Sequence, residues 1–154
     1  MFGGRWFPCA IGRSGRRALK LEGDGATPMG VYAVRRVFWR PDRGLPPRTR
    51  LPLRALRPDD GWCDAPGDRN YNRLVRHPYA SSAERLWRDD ALYDLVVILG
   101  INDCPRVQGR GSAIFMHLGR PDRTPTAGCI ALTRRDLTQV LGRLWRRARI
   151  AIPG

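Results

Sequence analysis

Apolar and polar positions alternate in short blocks along this chain. Residues 7–11, 18–21, 31–39, 92–99, 113–118 and 129–132 are runs rich in β-branched, aromatic and aliphatic side chains, separated by clusters of Gly, Pro, Asn and Asp. Runs of that length with that punctuation predict strands and turns, and so a mainly β fold. One stretch has another period. Over 133–147 the residues Leu137, Val140, Leu141, Leu144 and Trp145 recur at helical spacing, with Thr133 placed to cap and Asp136 three residues later, which predicts one C-terminal amphipathic helix. A last strand is expected over 149–152 and a short helical turn over 84–90. The proline- and arginine-rich stretch 41–68 has little periodicity and predicts an irregular insertion across one side of the sheet. Both of its flanks are needed to complete one core, so residues 1–154 are expected to form a single domain.

The strands expected over 113–118 and 129–132 carry the candidate chemistry. Within 113–118 alternation puts Ile114, Met116 and Leu118 on one face and Phe115 and His117 on the other. The same parity in 129–132 groups Cys129 with Ala131, opposite Ile130 and Leu132. If the two strands are neighbours, His117 and Cys129 point into one shallow cleft, joined by the loop Arg120-Pro121-Asp122-Arg123-Thr124-Pro125. A free thiol, with a pKa near ~8.5, is only a few per cent thiolate at neutral pH, and a neighbouring imidazole can lower that value and shuttle the proton. Gly128 lets backbone approach a reacting carbonyl closely, and N–H groups around Gly128 and Cys129 are candidates for an oxyanion hole. A plainer account also fits: a histidine satisfied at a strand end and a buried thiol.

Composition narrows the partners. The net charge is +14, from 28 Lys+Arg against 14 Asp+Glu, a balance that attracts polyanions such as nucleic acid, anionic lipid or an acidic cell-wall polymer. The arginines are spread along the chain with no nucleic-acid-binding motif, so no nucleic-acid partner is expected. No apolar run approaches the ~18 residues of a membrane span, so no transmembrane segment is expected. Residues 1–10 contain Arg5 and Pro8 and do not read as a secretory signal. Cys9, Cys63, Cys104 and Cys129 form no C-x-x-C pair, and with His77 and His117 they give no zinc-ligand spacing. Neither metal nor cofactor is expected, and Cys9, Cys63 and Cys104 read as free thiols. Asp89, Asp90 and Asp94 read as capping and ion-pairing groups among the arginines, and His77 is assigned no role.

The segment Thr126-Ala127-Gly128-Cys129-Ile130-Ala131-Leu132, preceded by His117, resembles the catalytic signature of the L,D-transpeptidase (YkuD-domain) family: a histidine, a loop, then [S/T]-x-G-C. Thr27-Pro28-Met29-Gly30-Val31-Tyr32 resembles that family's T-P-x-G-x-[F/Y] element. Three further segments resemble a compact bacterial branch of it: Gly61-Trp62-Cys63-Asp64, Asn70-Tyr71-Asn72-Arg73, and Trp87-Arg88-Asp89-Asp90 with Tyr93-Asp94. The resemblance runs from about Cys9 to Ile152. It implies an L,D-transpeptidase-like β-sandwich acting in the periplasm or cell envelope on peptidoglycan stem peptides beside meso-diaminopimelate. Cys129 would form a thioester, with His117 as base and later acid. Release of D-Ala and transfer to an amine would give a 3-3 cross-link without a metal.

Two departures bear on the acceptor. Many members have a second histidine just before the Gly-Cys pair and an Arg or Asn two residues after the cysteine, where this chain has Ala127 and Ala131. Arg120 and Arg123 are candidates to supply positive charge for a stem-peptide carboxylate, beside Thr126 and Gly128 as substrate or oxyanion residues. Water in place of the amine would make the protein a peptidoglycan carboxypeptidase or amidase. A basic nucleic-acid-binding module without catalysis is the alternative from another class. A monomer is expected.

Overall fold

The computed structural model describes residues 5–154, so the expectation for residues 1–10 lies outside the described residues at 1–4. In chain order the strands are β1 (Arg16–Arg17), β2 (Thr27–Pro28), β3 (Gly30–Trp39), β4 (Leu53–Ala55), β5 (Asp60–Cys63), β6 (Leu74–Arg76) and β7 (Ala83–Arg85). There follow β8 (Leu95–Leu99), β9 (Phe115–Leu118), β10 (Ile130–Leu132), the helix α1 (Arg134–Leu141) and β11 (Arg149–Ile152). The fold is mainly β, as the alternation implies.

The ten-residue β3 is the spine of the main sheet. One edge pairs antiparallel with β8; the other takes β11 antiparallel near its start and β4 parallel near its end. Beyond β8 comes β9, antiparallel, and then β10, parallel to β9. The order is β10-β9-β8-β3-β11, with β4 also on β3. All five residues of β8, Leu-Val-Val-Ile-Leu, are buried, because apolar layers cover both faces there and a strand covered on both sides reads as an unbroken apolar run.

The two layers differ. On one face Val34, Val97, Leu99, Ile114, Met116, Leu118, Ile130 and Leu132 pack under Leu137, Val140 and Leu141 of α1. On the other, Phe38, Val96, Ile98, Phe115 and Cys129 pack with Leu56, Leu86 and Tyr93 and against Trp62 and Leu74. The second layer is built by a three-stranded sheet, β6-β5-β7. Stretch 41–68 is therefore not simply an irregular insertion: it supplies β4, on the edge of the main sheet, and β5, the centre of the covering sheet.

Other expectations are corrected. Residues 84–90 form no helical turn; Glu84 lies in β7, paired with Trp62, and Leu86 is fully buried in the second layer. Residues 7–11 make only an isolated bridge, Ala10 to Ala131. Residues 18–21 are not a strand, because Leu19 and Leu21 are 75% and 51% exposed while Lys20, at 6%, points inward. The helix starts as expected, with Thr133 Oγ1 accepting from the Asp136 N–H at 3.1 Å. It stops at Leu141, ahead of Gly142, a poor helix former. Leu144 still reaches the core, whereas Trp145 is 64% exposed and stacks on the Arg50 guanidinium. Asp94 does pair with arginines, Arg43 at 3.2 Å and Arg134 at 2.6 Å, tying the start of α1 to the segment before β8.

Candidate active site

The parallel register sets Ile130 beside Met116 and Ala131 beside His117. Cys129, one residue earlier, stands level with Phe115. Strand alternation then places Phe115, His117, Cys129 and Ala131 on one face, away from α1. One strand spacing and two residues of rise separate His117 from Cys129, roughly 8 Å between Cα atoms. Both line a cavity of about 600 Å³, within the range of small-ligand sites.

Close backbone packing builds the cysteine turn. Gly128 has φ +139°, and a Cβ there would sit 2.8 Å from Ile114 Cδ1 and 2.9 Å from the Ala26 carbonyl oxygen, so the turn requires glycine. Fully buried Thr27 fastens it: its hydroxyl accepts from the Gly12 N–H at 2.8 Å and donates to the Gly128 carbonyl at 2.8 Å. The early Thr-Pro element thus touches the cysteine turn directly. Thr126 Oγ1 accepts from the Gly128 N–H at 3.1 Å and donates to the Cys129 carbonyl at 2.6 Å. The Gly128 N–H is thereby committed to Thr126, while the Cys129 N–H makes no bond to the protein among the described residues.

The thiol is held in place. Its Sγ accepts from the Phe115 N–H at 3.2 Å and donates to the Ala113 carbonyl at 3.2 Å. Ala113 has φ +51°, a left-handed conformation that costs a non-glycine residue free energy and tends to persist at functional sites. His117 Nδ1 lies 2.8 Å from the Leu118 carbonyl oxygen. A carbonyl only accepts, so Nδ1 carries the proton and Nε2 keeps the lone pair of a base. The Tyr93 ring packs edge-on to the imidazole at 5.1 Å, and its hydroxyl donates to Glu84 Oε1 at 2.6 Å.

Burial dominates the electrostatics. It pushes the Cys129 thiol up to about 12, aided by the negative charge of Glu84 and opposed by the Phe115 N–H, Tyr93 and the Lys20 charge. Burial also lowers the His117 pKa, against the pull of its bond to Leu118. The resting pair is a neutral thiol and a neutral imidazole. The simple expectation that the histidine lowers the thiol pKa therefore does not hold, because desolvation opposes the ion pair.

Not every residue singled out from sequence meets at the cavity. Thr126, Ala127, Ala131 and Arg120 line it with His117 and Cys129. Arg123, at φ +54°, lines a separate small hollow with Pro8, Ala10 and Thr133. Cys9 and Cys104 are exposed and Cys63 is buried, and none of the three lines the cavity. Sequence reasoning gave no role to Lys20, Glu22, Asp64, Glu84 or Ser112, which also line the cavity. Lys20 was detectable as the only lysine in the chain. Among the described residues, no group of three or more His, Cys, Asp or Glu side chains could hold a metal ion.

Residues 3–152 match the family model of the L,D-transpeptidase catalytic domain, YkuD. The chain belongs to that family. Comparison with curated proteins and with solved structures finds no match. Membership implies peptidoglycan cross-linking activity, a peptidoglycan peptide as substrate and action at the cell envelope. No helix among the described residues is long and apolar enough to cross a membrane.

Proposed function

We propose that this chain is a cysteine acyl transferase acting on peptidoglycan stem peptides, folded as one catalytic domain, with Cys129 as nucleophile and His117 as general base. The observation that carries the reading is that His117 and Cys129 share one face of two adjacent parallel strands and line one cavity. As a stem peptide fills the cavity, His117 Nε2 takes the thiol proton while Sγ attacks the carbonyl carbon of the scissile amide. Negative charge collects on the carbonyl oxygen, and the Cys129 N–H is the free donor beside it. Collapse breaks the C–N bond, the departing amine of D-Ala takes its proton from His117, and an acyl thioester remains. The acceptor amine then attacks the thioester, gives its proton to His117, and Sγ leaves and is reprotonated. The high thiol pKa ties proton transfer to substrate attack and protects the idle cysteine.

Water is a competing acceptor. Ala127 and Ala131 line the cavity where many relatives place polar groups, so fewer side chains hold an amine and the carboxypeptidase reading stays open. Mass spectrometry of muropeptides incubated with the purified protein, with and without an added amine, distinguishes the two. A 3-3 linked product dependent on the amine supports transfer; tripeptide as the sole product supports hydrolysis. No change in any stem peptide overturns both.

A further inference from the structure

Of the 28 lysines and arginines in this chain 27 are arginine, and the single lysine is buried at the cavity that Cys129 lines. Lys20 is 6% exposed and lines the same cavity as Cys129 and His117. Its ammonium donates to the Leu21 carbonyl at 2.7 Å and to Asp24 Oδ1. An ammonium has three donors, so one is left. Asp24 is itself shared, accepting from the Leu21 and Ala26 N–H groups at 2.9 Å each. Burial works against its charge, but the Lys20 bond and the two N–H groups prevail and hold its carboxyl below the usual value.

The site fits a lysine better than an arginine. A Cβ at Gly111, φ +93°, would lie 2.8 Å from Lys20 Cγ, so the backbone there closes on a thin methylene stem. A lysine head is a compact point charge, whereas a guanidinium is a broad planar fork. The placement also points at the chemistry. Gly111 is two residues from Ala113, whose carbonyl holds Cys129 Sγ at 3.2 Å, and two residues of chain span at most roughly 7 Å. Arg13 and Arg120, also at the cavity, are exposed, and Arg88 is bonded to Asp90 at 3.0 Å. A desolvated cation with a spare donor binds an anion more strongly than a hydrated one. Burying the Lys20–Asp24 pair is a poor way to gain stability, because desolvation offsets the attraction.

We propose that Lys20 is the carboxylate-binding residue of this cavity, and that its free N–H bonds a carboxylate of the acyl-donor peptide close to the scissile amide. The proposal rests on the acyl-transfer reading and adds the group that Lys20 selects. A stem tetrapeptide offers two such carboxylates, the C-terminal one and that of the diaminopimelate side chain.

Three synthetic donors test it: the tetrapeptide, its C-terminal amide and its side-chain carboxamide, each assayed for acylation of Cys129 by intact mass. Wild type is expected to lose roughly 10-fold to 100-fold in acylation efficiency with one of the amides, mostly through KM, and that amide identifies the carboxylate. Lys20→Met should react with the acid and that amide at equal rates, and Lys20→Arg should keep part of the preference. A folded Lys20→Met that retains the full wild-type preference overturns the proposal. If a melting curve shows that Lys20→Met is unfolded, the wild-type comparison decides alone, and equal rates with all three donors overturn it. Equal acylation of wild type by all three leaves the acyl-transfer reading intact, whereas acylation by none removes that reading and the proposal with it.

Discussion

The two faces of the β9–β10 pair are made by the same seven strand residues and share almost nothing chemically. Toward α1 stand Met116, Leu118, Ile130 and Leu132, aliphatic and sealed. Away from it stand Phe115, His117 and Ala131, with Cys129 just before β10, beside a cavity that also holds Lys20, Glu84 and Tyr93. One side chain in two is spent on stability and the other on chemistry. The sealed face makes the strands rigid, and that rigidity keeps a buried thiol and a buried imidazole in register. On the cavity face, each polar group described above has a bond that orients it: Cys129 to Phe115 and Ala113, His117 to Leu118, Tyr93 to Glu84.

The comparison breaks first at its most reactive atom. Cys129→Ala should abolish turnover and leave no covalent adduct with a carbapenem, a β-lactam class that mimics the acyl donor of this family's enzymes. Intact-mass measurement should show one adduct on wild type and none on the variant. An adduct that persists would place the nucleophile elsewhere.

Next comes the state of that thiol. With Cys129 pushed up to about 12 by burial and Glu84, its thiolate fraction at pH 8 is roughly 10³-fold below that of an ordinary thiol of pKa ~8.5. Iodoacetamide should therefore label exposed Cys104 long before Cys129, with the Cys129 rate still climbing past pH 10. Labelling of Cys129 that levels off near pH 8.5 would mean a solvated thiolate. The same shift affects stability. A thiol whose folded pKa exceeds its unfolded value contributes fully below ~8.5, and that contribution is lost as pH rises toward 12.

His117→Ala should slow acylation roughly 10²–10⁴-fold, the usual worth of general acid–base catalysis, while the adduct stays on Cys129. Because burial lowers the His117 pKa, the acid limb of the wild-type profile should fall below the ordinary imidazole value of ~6.5. A limb at 7 or above would point to a stabilised imidazolium and to the ion pair that burial disfavours. Across the sheet the expected effect changes kind. Leu137→Ala removes a fully buried side chain of α1 and should cost about 2–5 kcal/mol of stability by denaturant titration. Acylation per folded molecule should barely change.

Parity was the legible part. Alternation in 113–118 and 129–132 is enough to separate the two faces, and the helical period is enough to start α1 at its cap. What alternation cannot show is a layer made of short polar strands. β5 reads Asp-Gly-Trp-Cys and β7 reads Ala-Glu-Arg, three or four residues each, too short for a period to register, so the sheet that covers the reactive face was hidden. Residues 18–21 mislead for the opposite reason: the hydrophobic pattern is inverted there, with leucines outward and the lysine inward. The thiol's high pKa was illegible too, since it comes from burial and from Glu84, 45 residues away in sequence.

The smallest expected effects are at the other cysteines and separate a lone nucleophile from a thiol network. Cys9 and Cys104 are free and exposed, and neither lines the cavity. Cys9→Ser and Cys104→Ser should each leave melting temperature and acylation rate within experimental error, and a strong chelator should do the same. Cys63 is the sharper control, because it is free and fully buried. The Ala65 N–H and the Tyr79 hydroxyl are within hydrogen-bond reach of its sulfur, so Cys63→Ser keeps partners for the new hydroxyl, should lower stability by no more than about 1 kcal/mol, and should leave chemistry per folded molecule intact. A loss of acylation from Cys63→Ser matching that from Cys129→Ala, or inactivation by chelation reversed by zinc, would show that the thiols act together. The contrast between a reactive face and a sealed one would then be the wrong division of this molecule.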